Sequence, residues 1–251
     1  MRPTKCEVTG GVATITLDLP EKHNALTTDM LESLGDDLTR CRADGSARVI
    51  VLTHTGSTFC AGADLSVAAA TTSRFDIAAI LGLIVDAEKP VVARIAGRCL
   101  GGGVGLAAAC DISVASADAE FGFSEVRLGV APAVISVVCL PKMRRADASE
   151  LFLTGRRFGG LHAAEVGLVT KAVEERELDG AVATVVEQLL LGGPGALAAA
   201  KSLVARVPSM GRDDAFEWTR GLSRKLFASD EAAAGIAAFR ERRPPPWAQA
   251  R

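Results

Sequence analysis

The sequence predicts an α/β fold that ends in a helical portion. Three observations carry this reading. Short β-rich runs alternate with helix-period segments in the first part of the chain. Two small-residue, glycine-rich loops each follow one of those runs, at residues 59–65 and 96–106. From Ala146 onward the composition turns helical, with one strand-like interruption.

Taken in order, residues 6–9 and 12–18 are rich in β-formers, and Gly10-Gly11 supplies a two-residue hairpin turn. Thr27 or Thr28 caps a helix in which Leu31, Leu34, Leu38 and Cys41 recur at spacings of three and four. Residues 48–53 form a short buried strand, and 55–64 a loop of small residues. Residues 75–87 read as a helix with Ile77, Ile80, Leu81 and Ile84 on one face. Pro90 opens a strand over 91–96, followed by the glycines at 101–103 and a helix through Cys110. Residues 112–115 are strand again. Helices are expected over about 145–153, 177–190, 195–206, 213–227 and 230–241, with a strand at 168–172. The tail Arg242-Arg243-Pro244-Pro245-Pro246 is expected to be mobile or docked on a neighbouring molecule.

Composition narrows the function. The 251 residues include 49% hydrophobic and 23% charged side chains, ordinary for a globular protein with a large core. Twenty-eight basic against 30 acidic residues, a net charge of -2, argues against a general nucleic-acid surface. No apolar run approaches membrane-spanning length, and residues 1–5 lead straight into strand-like sequence, so a cytoplasmic location is expected, with no membrane partner. The six cysteines show no C-x-x-C pair and read as reduced, buried thiols. The three histidines lack zinc-ligand spacing, so no metal site is expected.

The chemistry is expected in the two loops. Phe59-Cys60-Ala61-Gly62-Ala63-Asp64-Leu65 and Gly101-Gly102-Gly103 both present backbone amides from small residues after a strand. Glycines at a helix start let a ligand approach free N–H groups, where the helix dipole favours negative charge. Two such loops converging would hold one oxyanion from two sides. Gly103-Val104-Gly105-Leu106-Ala107-Ala108 also matches G-x-G-x-x-A, but it stands alone, nearly 100 residues into the chain, which argues against a dinucleotide site. No P-loop or G-x-S-x-G sequence occurs.

Several blocks, in order, resemble those of the crotonase (enoyl-CoA hydratase/isomerase) superfamily. They are Pro20-Glu21-Lys22-His23-Asn24-Ala25-Leu26, the 59–65 loop, Lys89-Pro90-Val91, the 101–103 glycines, Cys110-Asp111 and the stretch from Phe121 to Gly129, with a terminal segment from Ser229 to Trp247. The resemblance implies a spiral of ββα units over residues 1–190 and a helical oligomerisation region over 191–251, assembled as a homotrimer or dimer of trimers. It implies an acyl-CoA substrate, with CoA part of the substrate and no separate cofactor. The backbone N–H groups of Ala63 and Gly102 would bind the thioester oxygen. Glu21, Lys22, His23, Ala25, Ala61, Asp64 and Leu65 would line the CoA groove. Lys22 would reach a phosphate or stay solvated, and Asp64 and Asp111 read rather as loop-ordering acceptors than as catalysts.

One departure matters. Two-glutamate hydratases of this family carry an acid three residues beyond the oxyanion glycine, where this chain has Gly105. The second acid corresponds to Glu125, a carboxylate beside an acyl pocket that would shuttle protons. A single acid suits double-bond isomerisation, while the sequence around residues 125–136 resembles bacterial hydratases for short or branched enoyl-CoA. Hydration of a 2-enoyl-CoA is the first expectation. Isomerisation and catalytically weak CoA-thioester binding are the alternatives.

Overall fold

The expected hairpin is β1 (Thr4–Thr9) and β2 (Val12–Leu17), paired antiparallel from Thr4 opposite Leu17 to Thr9 opposite Val12. Gly10 and Gly11 both take positive φ in its turn. The computed structural model describes residues 2–64 and 73–248. Thr27 is the cap of α1 (Thr28–Ala43), its hydroxyl accepting from the Met30 N–H at 3.1 Å. That helix buries Met30, Leu34, Leu38 and Cys41 against the sheet.

Three successive ββα units follow. They are β3 (Val49–His54), β4 (Thr58–Cys60) and α2 (Ile77–Val85); β5 (Val91–Ile95), β6 (Arg98–Leu100) and α3 (Gly102–Ala109); β7 (Ile112–Ser116), β8 (Glu120–Gly122) and α4 (Ala133–Cys139). The chain continues through α5 (Arg145–Thr154), β9 (Arg157–Gly159), α6 (Gly160–Glu165) and β10 (Lys171–Val173). It ends in α7 (Leu178–Leu190), α8 (Pro194–Arg206), α9 (Arg212–Phe227) and α10 (Asp230–Arg240). The first strand of each unit joins a six-stranded sheet of order β1-β2-β3-β5-β7-β10, and the second joins a four-stranded sheet of order β4-β6-β8-β9. Each unit therefore steps one place along both sheets, and the result is a spiral. Because consecutive units are parallel neighbours, β4 and β6 end side by side and deliver their following loops to one place.

The large sheet is covered on both faces, which explains its nearly unbroken apolar strands. Along β3, Ile50 and Leu52 face the main core, while Val49 and Val51 join Val92 and Val114 beneath Leu178, Val182 and Val186 of α7. The second sheet departs from the sequence reading. The 55–64 segment, read as loop, contains β4, and β6, β8 and β9 were likewise not anticipated. Strands of three residues are too short to show alternation, and all three β4 residues are buried. The expected strand at 168–172 lies at 171–173 instead. Leu168 and Val169 are spent closing α6, both amides donating to the Ala163 carbonyl.

The end of the tail folds back on its own chain. Arg48 Nη1 donates to the Trp247 carbonyl at 2.6 Å and to Leu190 at 3.0 Å, and its Nη2 donates to Gly192 at 2.6 Å. Trp247 Nε1 reaches the Leu191 carbonyl at 3.0 Å. One guanidinium thus closes the α7 C-terminus and anchors the last described turn. Among the described residues no single helix is long and apolar enough to cross a membrane.

Candidate active site

After Cys60, the last residue of β4, the chain turns sharply at Gly62, whose φ of 90° favours glycine. The Gly62 carbonyl accepts from the Leu26 N–H at 2.8 Å, and Ala63 pairs with Leu26 in a parallel bridge. After β6, Gly101 has φ 50° and ψ -119°, a combination that only glycine adopts without strain, and α3 begins at Gly102. As the first residue of that helix, Gly102 has an amide with no intrahelical acceptor. The Gly101 amide is used, donating to the Gly122 carbonyl at 3.0 Å.

The loops meet backbone to backbone. A Cβ at Gly62 would stand 3.0 Å from the Leu100 oxygen and 3.2 Å from the Gly102 nitrogen. A Cβ at Gly102 would stand 2.7 Å from Leu26 Cδ1 and 3.9 Å from the Ala63 nitrogen. The amide nitrogens of Ala63 and Gly102 therefore approach one gap between the loops, with Ala63 exposed, Gly102 half-buried, and Leu26, Gly62 and Gly101 buried. Two amides facing one gap can share a single anionic oxygen.

Glu125 stands beside that gap. It is the second residue of a 3-10 turn, Ser124–Leu128, that is closed by Gly129 at φ 78° and by the Val130 N–H donating to the Glu125 carbonyl at 3.2 Å. The carboxylate leans over the first loop glycine, since a Cβ at Gly101 would lie 3.2 Å from Oε1. Oε2 is buried and has no hydrogen-bond partner. Burial pushes the carboxyl above its ordinary value near 4.5, opposed in part by its own backbone N–H. A half-buried carboxylate with a free oxygen is equipped to take a proton and return it.

The position that would carry a second acid is packed with apolar side chains. Gly105, one turn into α3, is buried, and a Cβ there would stand 2.4 Å from Ile135 Cγ2, 3.0 Å from Ile135 Cβ and 3.6 Å from Leu81 Cδ1. Ile135 and Leu81 are themselves 4% exposed. The second acid is thus not merely missing: α4 fills the volume it would need. Sequence reasoning noticed Gly105 but not its filler, because an isoleucine in an apolar run carries no signal of what it packs against.

Of the residues expected in a CoA groove, Glu21 and Lys22 lie in a 3-10 turn, Pro20–Lys22, and His23 follows at φ 52°; all three side chains are exposed. Ala25, Ala61 and Asp64 are half-buried, and Leu65 lies outside the described residues. The Ala61 N–H donates to the His23 carbonyl at 3.1 Å, so residues 19–26 and 60–64 form one rim. Asn24 makes this possible and was given no role from sequence. Wholly buried at φ 51°, it accepts from the Leu19 N–H at 2.8 Å and donates to the carbonyls of Thr55 at 3.1 Å and Thr58 at 2.7 Å. The available signal was the residue type, since asparagine tolerates left-handed backbone and bonds to nearby main chain. Asp111 does act as a loop-ordering acceptor. It receives the Val91 N–H at 2.7 Å and Lys201 Nζ at 2.8 Å. Lys201 also donates to the Ile84 and Lys89 carbonyls, which satisfies its three protons and ties α8 to the core. Among the described residues no cluster of three or more metal-ligating side chains occurs.

The comparisons with known proteins agree with this architecture. The sequence profile described as enoyl-CoA hydratase/isomerase matches residues 7–250. Carnitinyl-CoA dehydratase of Escherichia coli K12 is 34% identical over 249 residues, covering 95% of each chain. The solved enoyl-CoA hydratase of Mycobacterium smegmatis superposes with a TM-score of 0.91 at 29% identity, covering 98% of both chains. An enoyl-CoA hydratase/isomerase from Marinobacter aquaeolei gives 0.90 at 28% identity, over 99% of this chain and 100% of that one. With a profile match across nearly its whole length and the ββα spiral in place, this chain belongs to the enoyl-CoA hydratase/isomerase (crotonase) family.

Proposed function

We propose that the protein hydrates a 2-enoyl-CoA thioester, and that Glu125 carries the proton in both steps. The observation behind this is the buried Oε2 of Glu125, without a hydrogen-bond partner, on a carboxylate whose Oε1 lies over Gly101, the residue before Gly102. Water attacks C3 as Glu125 takes its proton, and the C2=C3 electrons move onto the thioester oxygen between the two amides. Glu125 then returns the proton to C2 and the enolate collapses to the 3-hydroxyacyl thioester. Each amide donor is worth about 10²–10³ in rate. The same cycle run backward is a dehydration, the reaction named for the Escherichia coli relative.

Supporting this reading, the rim of Glu21, Lys22, His23, Ala25, Ala61, Asp64 and Leu65 would carry the CoA moiety, with Lys22 near a phosphate. CoA enters as part of the substrate and no other cofactor takes part. Phe216, Phe227 and Phe239, 63%, 75% and 83% exposed on the C-terminal helices, are the surface we assign to trimer contacts. The protein would work in the cytoplasm.

One observation favours a second reading. With Ile135 filling the space beside Gly105, the pocket offers one carboxylate, enough to move a proton from C2 to C4 of a 3-enoyl thioester. Incubation with crotonyl-CoA and with 3-hexenoyl-CoA separates the two. A product heavier by one water from crotonyl-CoA, lost in Glu125→Gln, supports the hydratase. An unhydrated 2-enoyl product from the 3-enoyl substrate alone makes the protein an isomerase, and no turnover of either leaves a CoA-thioester binder.

A further inference from the structure

Away from the site, β1 and α1 meet in a seam whose register is visible in the residue numbers. Residues 2, 4 and 6 share one side of an extended strand, and 33, 37 and 41 share one face of a helix, each a turn apart. They meet in that order. Arg2 Nε donates to Ser33 Oγ at 2.8 Å, and its Nη2 donates to Asp37 Oδ1 at 2.7 Å. Thr4 Oγ1 donates to Asp37 Oδ2 at 2.6 Å, and Arg40 completes the shell of that wholly buried carboxylate at 2.7 Å. The last rung is sulfur on sulfur: Cys6 Sγ lies 3.2 Å from Cys41 Sγ.

The two thiols are unequal. Cys6 is partly exposed on β1, the edge strand of the large sheet, whereas Cys41 is 1% exposed beneath it. The Arg40 guanidinium lies beside the Cys6 sulfur. Burial pushes the Cys41 thiol up to about 12, which leaves Cys6 as the attacking sulfur. Cys60, Cys99, Cys110 and Cys139 are wholly buried, so an oxidant in solution meets Cys6 first.

We propose that Cys6 and Cys41 are a redox modification site that takes a low-molecular-weight disulfide and closes to a reversible bond between β1 and α1. The Cys6 thiolate attacks one sulfur of the disulfide R–S–S–R, whose S–S bond breaks and releases one RS⁻, protonated to RSH. Cys41 then gives up its proton and attacks the Cys6 sulfur of the mixed disulfide, expelling the second RS⁻. Two protein thiols are oxidised and one R–S–S–R is reduced to two R–SH. The new bond closes a loop across a separation of 35 residues along the chain. It would raise the melting midpoint by about 5–10 °C. It would also fix the helix that follows Leu26, the residue packed against Gly102.

The test equilibrates the full-length protein with glutathione disulfide and glutathione at fixed ratios, then acid-quenches, alkylates and measures intact mass. The expected result is a chain carrying four alkyl groups in place of six, about 2 Da lighter than four groups on the fully reduced chain would give, with no retained glutathione, and a peptide map linking residue 6 to residue 41. Cys41→Ser should stall as a glutathione adduct on Cys6, and Cys6→Ser should stay unmodified. Wild-type protein that keeps six alkylatable thiols, or that holds glutathione on Cys6 without closing, overturns the proposal. The wild-type map decides the matter even if a serine variant folds poorly.

Discussion

Gly105→Ala is the sharpest probe of the pocket wall, because its effect can be worked from distances. The added methyl would stand 2.4 Å from Ile135 Cγ2 and 3.0 Å from its Cβ, against about 3.5–4.0 Å for relaxed carbon contacts. Ile135 must therefore give by about 1 Å. It is 4% exposed, and Leu81, the other side chain beside Gly105, is buried too, so nothing nearby yields freely. Overpacking of this kind costs about 1–3 kcal/mol. For a chain of this size that lowers the melting midpoint by roughly 2–10 °C. The decisive comparison is the pair. Ile135→Ala alone opens a cavity and costs about 2–5 kcal/mol. In Gly105→Ala/Ile135→Ala the new methyl enters that cavity, leaving only the 3.0 Å approach to the residual Cβ. The two changes should then be less harmful together than their sum, with a coupling of about 1–2 kcal/mol. Denaturant melts of the four proteins measure it. Additivity to within about 0.5 kcal/mol would refute the claim that Ile135 occupies the second-acid volume.

Further expectations concern Glu125, Asn24 and Arg48. Glu125→Gln should lower turnover by about 10²–10⁴ while thioester binding, read by calorimetry, is retained. Because burial raises the Glu125 carboxyl, its contribution to stability is fully present below the ordinary value near 4.5 and is lost as pH rises through the folded value. Glu125→Gln should therefore melt higher than wild type at pH 7, with the difference shrinking on acidification; a lower melt at pH 7 would contradict the desolvation argument. The acid limb of the rate profile should likewise sit above the ordinary carboxylate range. Asn24→Ala leaves the Leu19 N–H without its acceptor and removes a donor from the Thr55 and Thr58 carbonyls, and should cost about 2–4 kcal/mol in denaturant melts and raise KM more than it lowers kcat. Arg48→Met strips the carbonyls of Leu190, Gly192 and Trp247, and should release Trp247, seen as a red-shifted emission in a Trp218→Phe background.

Where the sequence proved legible, the reason is periodicity over a sufficient length. The hairpin, α1, β3, β5, β7 and the C-terminal helices each repeat their pattern often enough to declare themselves. β4, β6, β8 and β9 do not, since three residues hold at most one full alternation. Yet β4 and β6 are what aim the Ala63 and Gly102 amides, so the loops were legible as chemistry while their supports were not. Glu125 was singled out because its surroundings resemble a known block. Ile135, Asn24 and the Cys6–Cys41 contact depend on which residues meet across 30, 34 and 35 positions, and no local pattern carries that.

The same observations explain why the site can be both open and firm. Ala63 is exposed and Gly102 half-buried, and mobile loop amides alone would be poorly placed for an oxyanion. Here the glycines let three backbone segments touch: Leu26 to Gly62, Gly62 to Leu100 and Gly102, and Gly103 to the Cys60 oxygen, which a Cβ would meet at 2.5 Å. Any side chain at Gly62, Gly102 or Gly103 would wedge that stack apart. Behind it, Asn24 clamps the rim to the 55–58 turn, and Lys201 with Asp111 holds the start of β5 to α8. Preorganised amides need no reorganisation when charge develops on the thioester oxygen. In the hydration we propose, rigid amides on one side and a carboxylate whose Oε2 has no hydrogen-bond partner on the other would divide the work: the fold would fix where the electrons go, and Glu125 would exchange the proton.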